Sequence, residues 1–172
     1  MNSKISFSKG VWIISILTSI GIIACLIFLG KDIFLQKGSH DIINIILFFL
    51  VILAYISSLY FMPISLLLTS DKLVIRCLIH RVYIPLSNIA VIETAQKYKD
   101  FTDIRVFGIG GLWGYTGLFR NKGVGKYIAY MGNPQQAFYI RLKSGRNYLV
   151  SCDNYLIFLA KLSSLTSKSD VE

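Results

Sequence analysis

The chain has 172 residues, 54% of them hydrophobic, and its 18 Lys and Arg against 9 Asp and Glu give a net charge of +9. Its three cysteines, Cys25, Cys77 and Cys152, form an odd set without CxxC spacing, which argues against a disulfide framework or a zinc site and for buried thiols in a reducing compartment. The apolar excess lies in the first 68 residues, and Thr69 to Glu172 has the make-up of a globular chain with a modest core; a basic balance beside such segments suits an anionic lipid leaflet before nucleic acid.

In chain order, Val11 to Leu29 is an uncharged run with Lys4 and Lys9 before it and Lys31 after it. It is a first candidate for a membrane span. A secretion signal is the main rival, since a basic start and an apolar stretch also describe one. The run is longer than a signal core, however, and no small-x-small cleavage site follows. Ile22-Ile23-Ala24-Cys25 resembles a lipobox, but Leu-Ile-Phe-Leu follows Cys25 where a mature lipoprotein turns polar. The short connection Gly30 to Asp41 then predicts two antiparallel helices joined as a hairpin, with Ile33, Phe34 and Leu35 placed to dip into the interface.

Ile42 to Leu68 contains no charged side chain. A bilayer core of about 30 Å needs roughly 20 apolar residues as a helix, so Ile42 to about Met62 makes the second span. Pro63 releases the chain, because proline lacks the N–H and clashes with the preceding turn. Lys and Arg near the helix ends favour both termini, and the basic C-terminal part, on the cytoplasmic side.

Beyond Pro63 the period changes. Leu66 to Thr69, Lys72 to Ile79, Arg81 to Ile84 and Ile89 to Gln96 are short β-branched runs between turn signals, and antiparallel strands are expected. Gln96 to Asp103 reads as an exposed connection, and Ile104 to Phe107 resumes a strand. Lys126 to Met131, Ala137 to Leu142 and Asn147 to Ser151 are the last strands, with Ser144-Gly145 as the final turn. Asp153 is placed to cap a closing helix that carries Tyr155, Phe158, Leu159, Leu162 and Leu165 on one face. Ser167 to Glu172 is a polar tail.

Particular segments resemble the bacterial pleckstrin-homology (PH) families. Thr69-Ser70-Asp71-Lys72-Leu73-Val74-Ile75-Arg76 is similar to their opening hairpin. Arg81 to Ile89 with Val91-Ile92-Glu93 resembles their Ile-Pro-x-x-x-Ile segment. Phe138-Tyr139-Ile140 and Gly145 to Ser151 resemble the last hairpin, leading to Asp153 and the helix of Phe158 and Leu162. The likeness spans about Leu66 to Leu165. It implies a partly open barrel capped by one helix, and an interaction module in place of an enzyme. It brings no phosphoinositide site, because Lys72, Arg76 and Arg81 lack the spacing that lipid-binding PH domains use.

From Ile104 to Cys152 the sequence has no acidic residue but seven basic ones, Arg105, Arg120, Lys122, Lys126, Arg141, Lys143 and Arg146, interleaved with aromatics. A loop from Leu112 to Lys126 on the membrane would use cations and interfacial aromatics together. The expected membrane or partner contacts are Trp113, Tyr115, Phe119, Arg120, Lys122, Lys126 and Tyr127. The bland alternative is a strand pair with a basic exposed face. The glycines do not form a phosphate loop, since a GxGxxG would need glycine at Trp113 and a P-loop would need it at Arg120; they suit a twisted hairpin with close backbone approach.

His40 and His80 stand apart, and Asp100 and Asp103 read as solubilising residues, so catalysis has no evident constellation and no cofactor or metal is implied. The expected fold class is an α+β membrane protein: two N-terminal transmembrane helices (about 11–29 and 42–62) in residues 1–68, then a PH-like antiparallel β-barrel over 69–166 capped by a C-terminal helix. The expected function is a non-catalytic, membrane-anchored module at the cytoplasmic face of a bacterial membrane, binding lipid headgroups or a protein partner. The alternative is a structural subunit of a membrane-associated oligomer.

Overall fold

The structure, a computed structural model, describes residues 1–35, 42–98 and 103–169. Lys37, His40 and Asp100, with half of each polar connection and the end of the tail, lie outside the described residues.

After a short first strand come two helices, α1 (Lys9–Leu35) and α2 (Ile42–Tyr60). Both are long and apolar enough to cross a membrane, yet only 11% and 6% of their most apolar windows is buried. The core helix of a soluble protein would bury most of that surface. Here Leu17, Ile20, Phe28, Ile43, Phe49 and Leu53 stand exposed around both helices. Ser8 starts α1: its hydroxyl accepts from Val11 N–H and its carbonyl from Trp12 N–H, which satisfies donors a helix start leaves open. Tyr55 of α2 donates to Ser19 of α1 at 3.2 Å. α1 runs past Leu29 to Leu35, so the helix takes in part of the expected connection. α2 stops at Tyr60, and after Phe61 and Met62 the chain enters a strand at Pro63.

The strands form two sheets. β1 (Asn2–Lys4), β2 (Pro63–Leu68), β3 (Lys72–Cys77) and β4 (Arg81–Pro85) pair in that order. The second sheet holds β5 (Ile89–Thr94), β6 (Ile104–Gly111), β7 (Gly114–Asn121), β8 (Gly125–Met131), β9 (Ala137–Leu142) and β10 (Asn147–Ser151), in the spatial order β5-β9-β10-β8-β7-β6. This corrects the expected barrel, since neither sheet closes on itself or on the other. Between β4 and β5 the chain turns through Leu86–Asn88, and Pro85, with no N–H, cannot extend a ladder there. Nor is the pairing antiparallel throughout: β8 and β10 run parallel, with Tyr148 opposite Ile128 and Val150 opposite Tyr130.

The central strands of the six-stranded sheet, β8, β9 and β10, are buried on both faces. Along β9, Phe138 and Ile140 face one way and Ala137 and Tyr139 the other, and all four are buried. The first face packs on the four-stranded sheet and on α3 (Tyr155–Ser169), through Leu66, Leu73, Ile75, Ile84, Phe158 and Leu162. The second carries a smaller cluster of Phe119, Tyr127, Ala129, Tyr139 and Leu149. Two covered faces explain why these strands read as continuous apolar runs without alternation.

The first residues of the chain belong to this assembly. β1 pairs with β2, Ser3 donates its hydroxyl to Asp153 O at 2.6 Å, and Ser6 donates to the Asp153 carboxylate at 2.8 Å. Asp153 therefore ties the N-terminal strand down, two residues ahead of α3. Asn154 takes the position before the helix, at φ 53°, and its carbonyl accepts from Ile157 and Phe158.

Candidate functional site

The glycine-rich stretch is a pair of hairpins. β6 and β7 meet at Leu112-Trp113, and β7 and β8 meet at a second turn over residues 122–124. The expected single loop from Leu112 to Lys126 is thus corrected to an eight-residue strand with a turn at each end. Its pairing on both edges, to β6 and to β8, holds a low-propensity sequence extended. Midway along the first hairpin, Gly108 faces Gly117. A Cβ on Gly117 would stand 2.4 Å from Phe107 O, and one on Gly108 2.3 Å from Thr116 O. Only glycine permits this approach, and both residues have φ near +130°.

The two turns are about 23 Å apart at 3.3 Å per residue along β7. Trp113 belongs to the inner one. Its N–H donates to Ser15 Oγ at 2.9 Å, Ser15 Oγ donates to Gly111 O at 3.1 Å, and its ring meets Trp12 edge-on at 6.2 Å. Trp113 is a non-glycine residue at φ 54°, held there by α1. Tyr115 follows, half-buried against the second core. Arg120, Lys122 and Lys126 are exposed at the outer turn, with Arg120 opposite Lys126 in the ladder. The structure brings these three together and separates them from Trp113.

Phe119 and Tyr127 are different. They are buried and stacked on each other at 5.9 Å, so they support the hairpin from inside and present no side chain to a partner. Tyr127 donates to Asp103 at 2.7 Å, where Asn121 also donates. Burial, with that hydrogen bond, pushes the Tyr127 phenol well above its ordinary range. Burial also pushes Tyr139 up to about 12. An aromatic beside a cation reads the same in sequence whether it faces a core or a solvent.

The basic stretch divides too. Arg141 pairs with Glu93 at 3.1 Å and donates to Tyr98 at 2.6 Å. Glu93 also pairs with Lys97 and accepts from Tyr98, and those hydrogen bonds lower its carboxyl below the usual range. Arg105, Arg120, Lys122 and Lys126 make no ion pair among the described residues.

β6 is one of the two outer strands of its sheet, and it lies on the side of the helices. β7 touches the very end of α2, where Thr116 Oγ1 donates to Phe61 O at 3.3 Å. β6 reaches deeper. Gly111 meets Ser15 about 9 Å along α1 from Lys9, and Arg105 to Ile109 share a cleft with Ala54 and Ser57, inside the last two turns of α2. Along its length β6 therefore passes beside both helices. Ile104, Val106 and Phe107 are exposed there, Phe107 at 80%. Sequence reading placed a strand at Ile104 to Phe107 but not its exposed outer position beside the helices.

Among the described residues no three His, Cys, Asp or Glu side chains could hold a metal ion. Cys77 and Cys152 are buried, and burial raises their thiols to about 12 and about 11, which keeps them protonated at neutral pH.

No curated protein and no solved structure matches the chain. The family model described as the bacterial PH domain matches residues 64–166, from β2 into α3. It takes in both sheets apart from β1, with most of the closing helix, and by that match the chain belongs to the bacterial PH domain family.

Proposed function

We propose that the protein is a non-catalytic interaction module fixed to the cytoplasmic face of a bacterial membrane, in which α1 and α2 span the bilayer and the sheets contact its anionic headgroups. The observation that carries this reading is the bareness of the two helices: apolar around their circumference and almost uncovered by protein. Helices satisfy their own backbone groups, which is what a hydrocarbon medium demands. Ser8 and Pro63 stand at the two ends where the chain would leave lipid.

The sheet would then stand on the bilayer by its β6 edge. Ile104, Val106 and Phe107 would enter the interface, with Trp12 and Trp113 at headgroup level, where indole rings favour the mixed environment. Arg120 on β7 and Lys126 on β8 lie one and two strands above β6, about 5 and 10 Å at the usual strand spacing. Headgroup phosphates are within reach of such side chains. A second reading, a structural subunit, draws on the same unpaired edge, since a bare strand can add a strand from another copy.

Alkaline carbonate extraction of the full-length chain tests the anchor. The protein is expected to stay in the membrane pellet, and its release into the supernatant would refute the reading. Its mass in nanodiscs addresses the subunit reading: one chain per disc favours the module, two or more the subunit.

A further inference from the structure

The connection from β3 to β4 is Leu78-Ile79-His80, and its residue types are unusual for an exposed turn, where Gly, Pro, Asn, Asp and Ser prevail. Leu78 and Ile79 stand 50% and 63% exposed. The turn is closed without their side chains, since Cys77 N–H donates to His80 O at 2.9 Å.

The place of this tip gives the two aliphatic residues a use. β2 leaves the end of α2 at Pro63, and β3 returns alongside it until Cys77 stands opposite Pro63. The connection therefore runs on past the start of β2 and meets the last residues of the helix. Leu78 N–H donates to Met62 O at 2.9 Å, and the His80 ring lies 6.0 Å from those of both Tyr60 and Phe61. These contacts hold the tip at the level where α2 ends.

Two arginines flank it. Arg76 and Arg81 are directly opposite in the β3–β4 ladder, so they share one face of the sheet, and both are exposed. Neither has an ion-pair partner among the described residues, and the sequence from Lys72 to Ile92 has no acidic residue. Like charges placed opposite each other destabilise a strand pair, and an anion between them would relieve that. Arg76 precedes Leu78 along the chain by about 7 Å at the usual strand rise. The headgroup layer on each side of the hydrocarbon core is roughly 5–8 Å deep, so apolar tip and arginine pair match its two boundaries.

We infer that this tip is a second membrane contact, in which Leu78 and Ile79 enter the apolar edge of the bilayer and Arg76 and Arg81 hold the phosphate of an anionic phospholipid between them. The inference rests on the membrane-spanning reading of α1 and α2. With the β6 edge it gives the domain two footings, one from each sheet. A protein partner is disfavoured, because a stable interface takes about 800 Å² a side and a three-residue tip beside the end of a lipid-covered helix offers far less.

The test places a fluorescent dye at Ile79→Cys in full-length protein with Cys25 replaced by alanine, Cys77 and Cys152 being buried. The protein is held in phosphatidylcholine nanodiscs that carry a dilute quencher-bearing phospholipid. A second protein has the dye at Ser70→Cys, in the exposed turn at the far end of β3. Quenching is expected at position 79 and not at position 70. A quencher carried on phosphatidylglycerol should be enriched at position 79 about thirtyfold over the same quencher on phosphatidylcholine, as two cations at an anionic surface would produce. Arg76→Gln together with Arg81→Gln should bring the two quenchers level and leave the circular dichroism unchanged. No quenching at position 79, equal quenching at 79 and 70, no preference for phosphatidylglycerol, or a preference that survives loss of both arginines would overturn the inference. Carbonate extraction of membranes holding the labelled chain separates the two levels: a chain that resists extraction with an unquenched dye at position 79 refutes the tip contact alone, and a chain that is stripped refutes the anchor as well.

Discussion

Replacing Arg120, Lys122 and Lys126 together with alanine should weaken docking of the outer turn on an anionic bilayer about a hundredfold, at roughly 1 kcal/mol per cation near such a surface. An environment-sensitive dye at Gly123→Cys, in full-length protein with Cys25 replaced by alanine, reads the contact in nanodiscs. All three side chains are exposed, and the turn they flank is bonded internally through Gly123 N–H to Asn121 Oδ1 at 2.8 Å. The substitutions therefore remove charge without removing a fold contact. The parent signal should fall with added salt, since exposed charges are screened over about 10 Å at 0.1 M, and should vanish in neutral lipid. A triple variant that docks like the parent would show that headgroup electrostatics do not hold this turn.

Phe158→Ala should destabilise the sheets by about 3–5 kcal/mol, the usual cost of truncating a buried phenylalanine. Phe158 is fully buried, faces Phe138 at 6.1 Å, and joins α3 to both sheets beside Leu162. α3 also lies against the Leu86–Asn88 turn, the point where the chain passes from one sheet to the other. Because the two sheets share no strand, the side chains of α3 supply much of what holds them together. Urea unfolding of the full chain in detergent, followed by near-ultraviolet dichroism, measures the change while leaving the apolar helices in their micelle. A loss under about 1 kcal/mol would mean that the site collapses around the gap or that α3 contributes little.

The strands that were legible in the sequence are those whose local chemistry and tertiary setting agree. Lys72–Cys77, Ala137–Leu142 and Asn147–Ser151 are β-branched or aromatic runs closed by turn residues, and the structure ends them within a residue or two of where those signals fall. The Ile84-Pro85 step likewise marks a strand end in both. What could not be read was supplied by partners distant in sequence. Asn2–Lys4 has no strand signature of its own and is extended because β2 pairs with it and Asp153 binds the following turn. β7 contains two glycines and is extended because it is paired on both sides.

The site was legible as composition and not as geometry. The excess of cations and aromatics between Ile104 and Cys152 was plain, but their division was not. Tyr127 and Phe119 turn inward, Arg141 pairs with Glu93, and Trp113 is held by Ser15, a residue 98 positions away. Alternation along a strand decides which side chains share a face, and the register that fixes it depends on where the bulge between Arg105 and Phe107 falls. A bulge of that kind leaves little trace in a glycine-rich sequence.

In the proposed arrangement the six-stranded sheet rests on the bilayer along its β6 edge. Dyes placed singly at Phe107 on β6 and at Val91 on β5, the two outer strands of that sheet and both exposed, report it directly through quenching by lipid-borne quenchers in nanodiscs. Strong quenching at position 107 with little at position 91 is the predicted result. Equal quenching at the two positions, or none at 107, would contradict it.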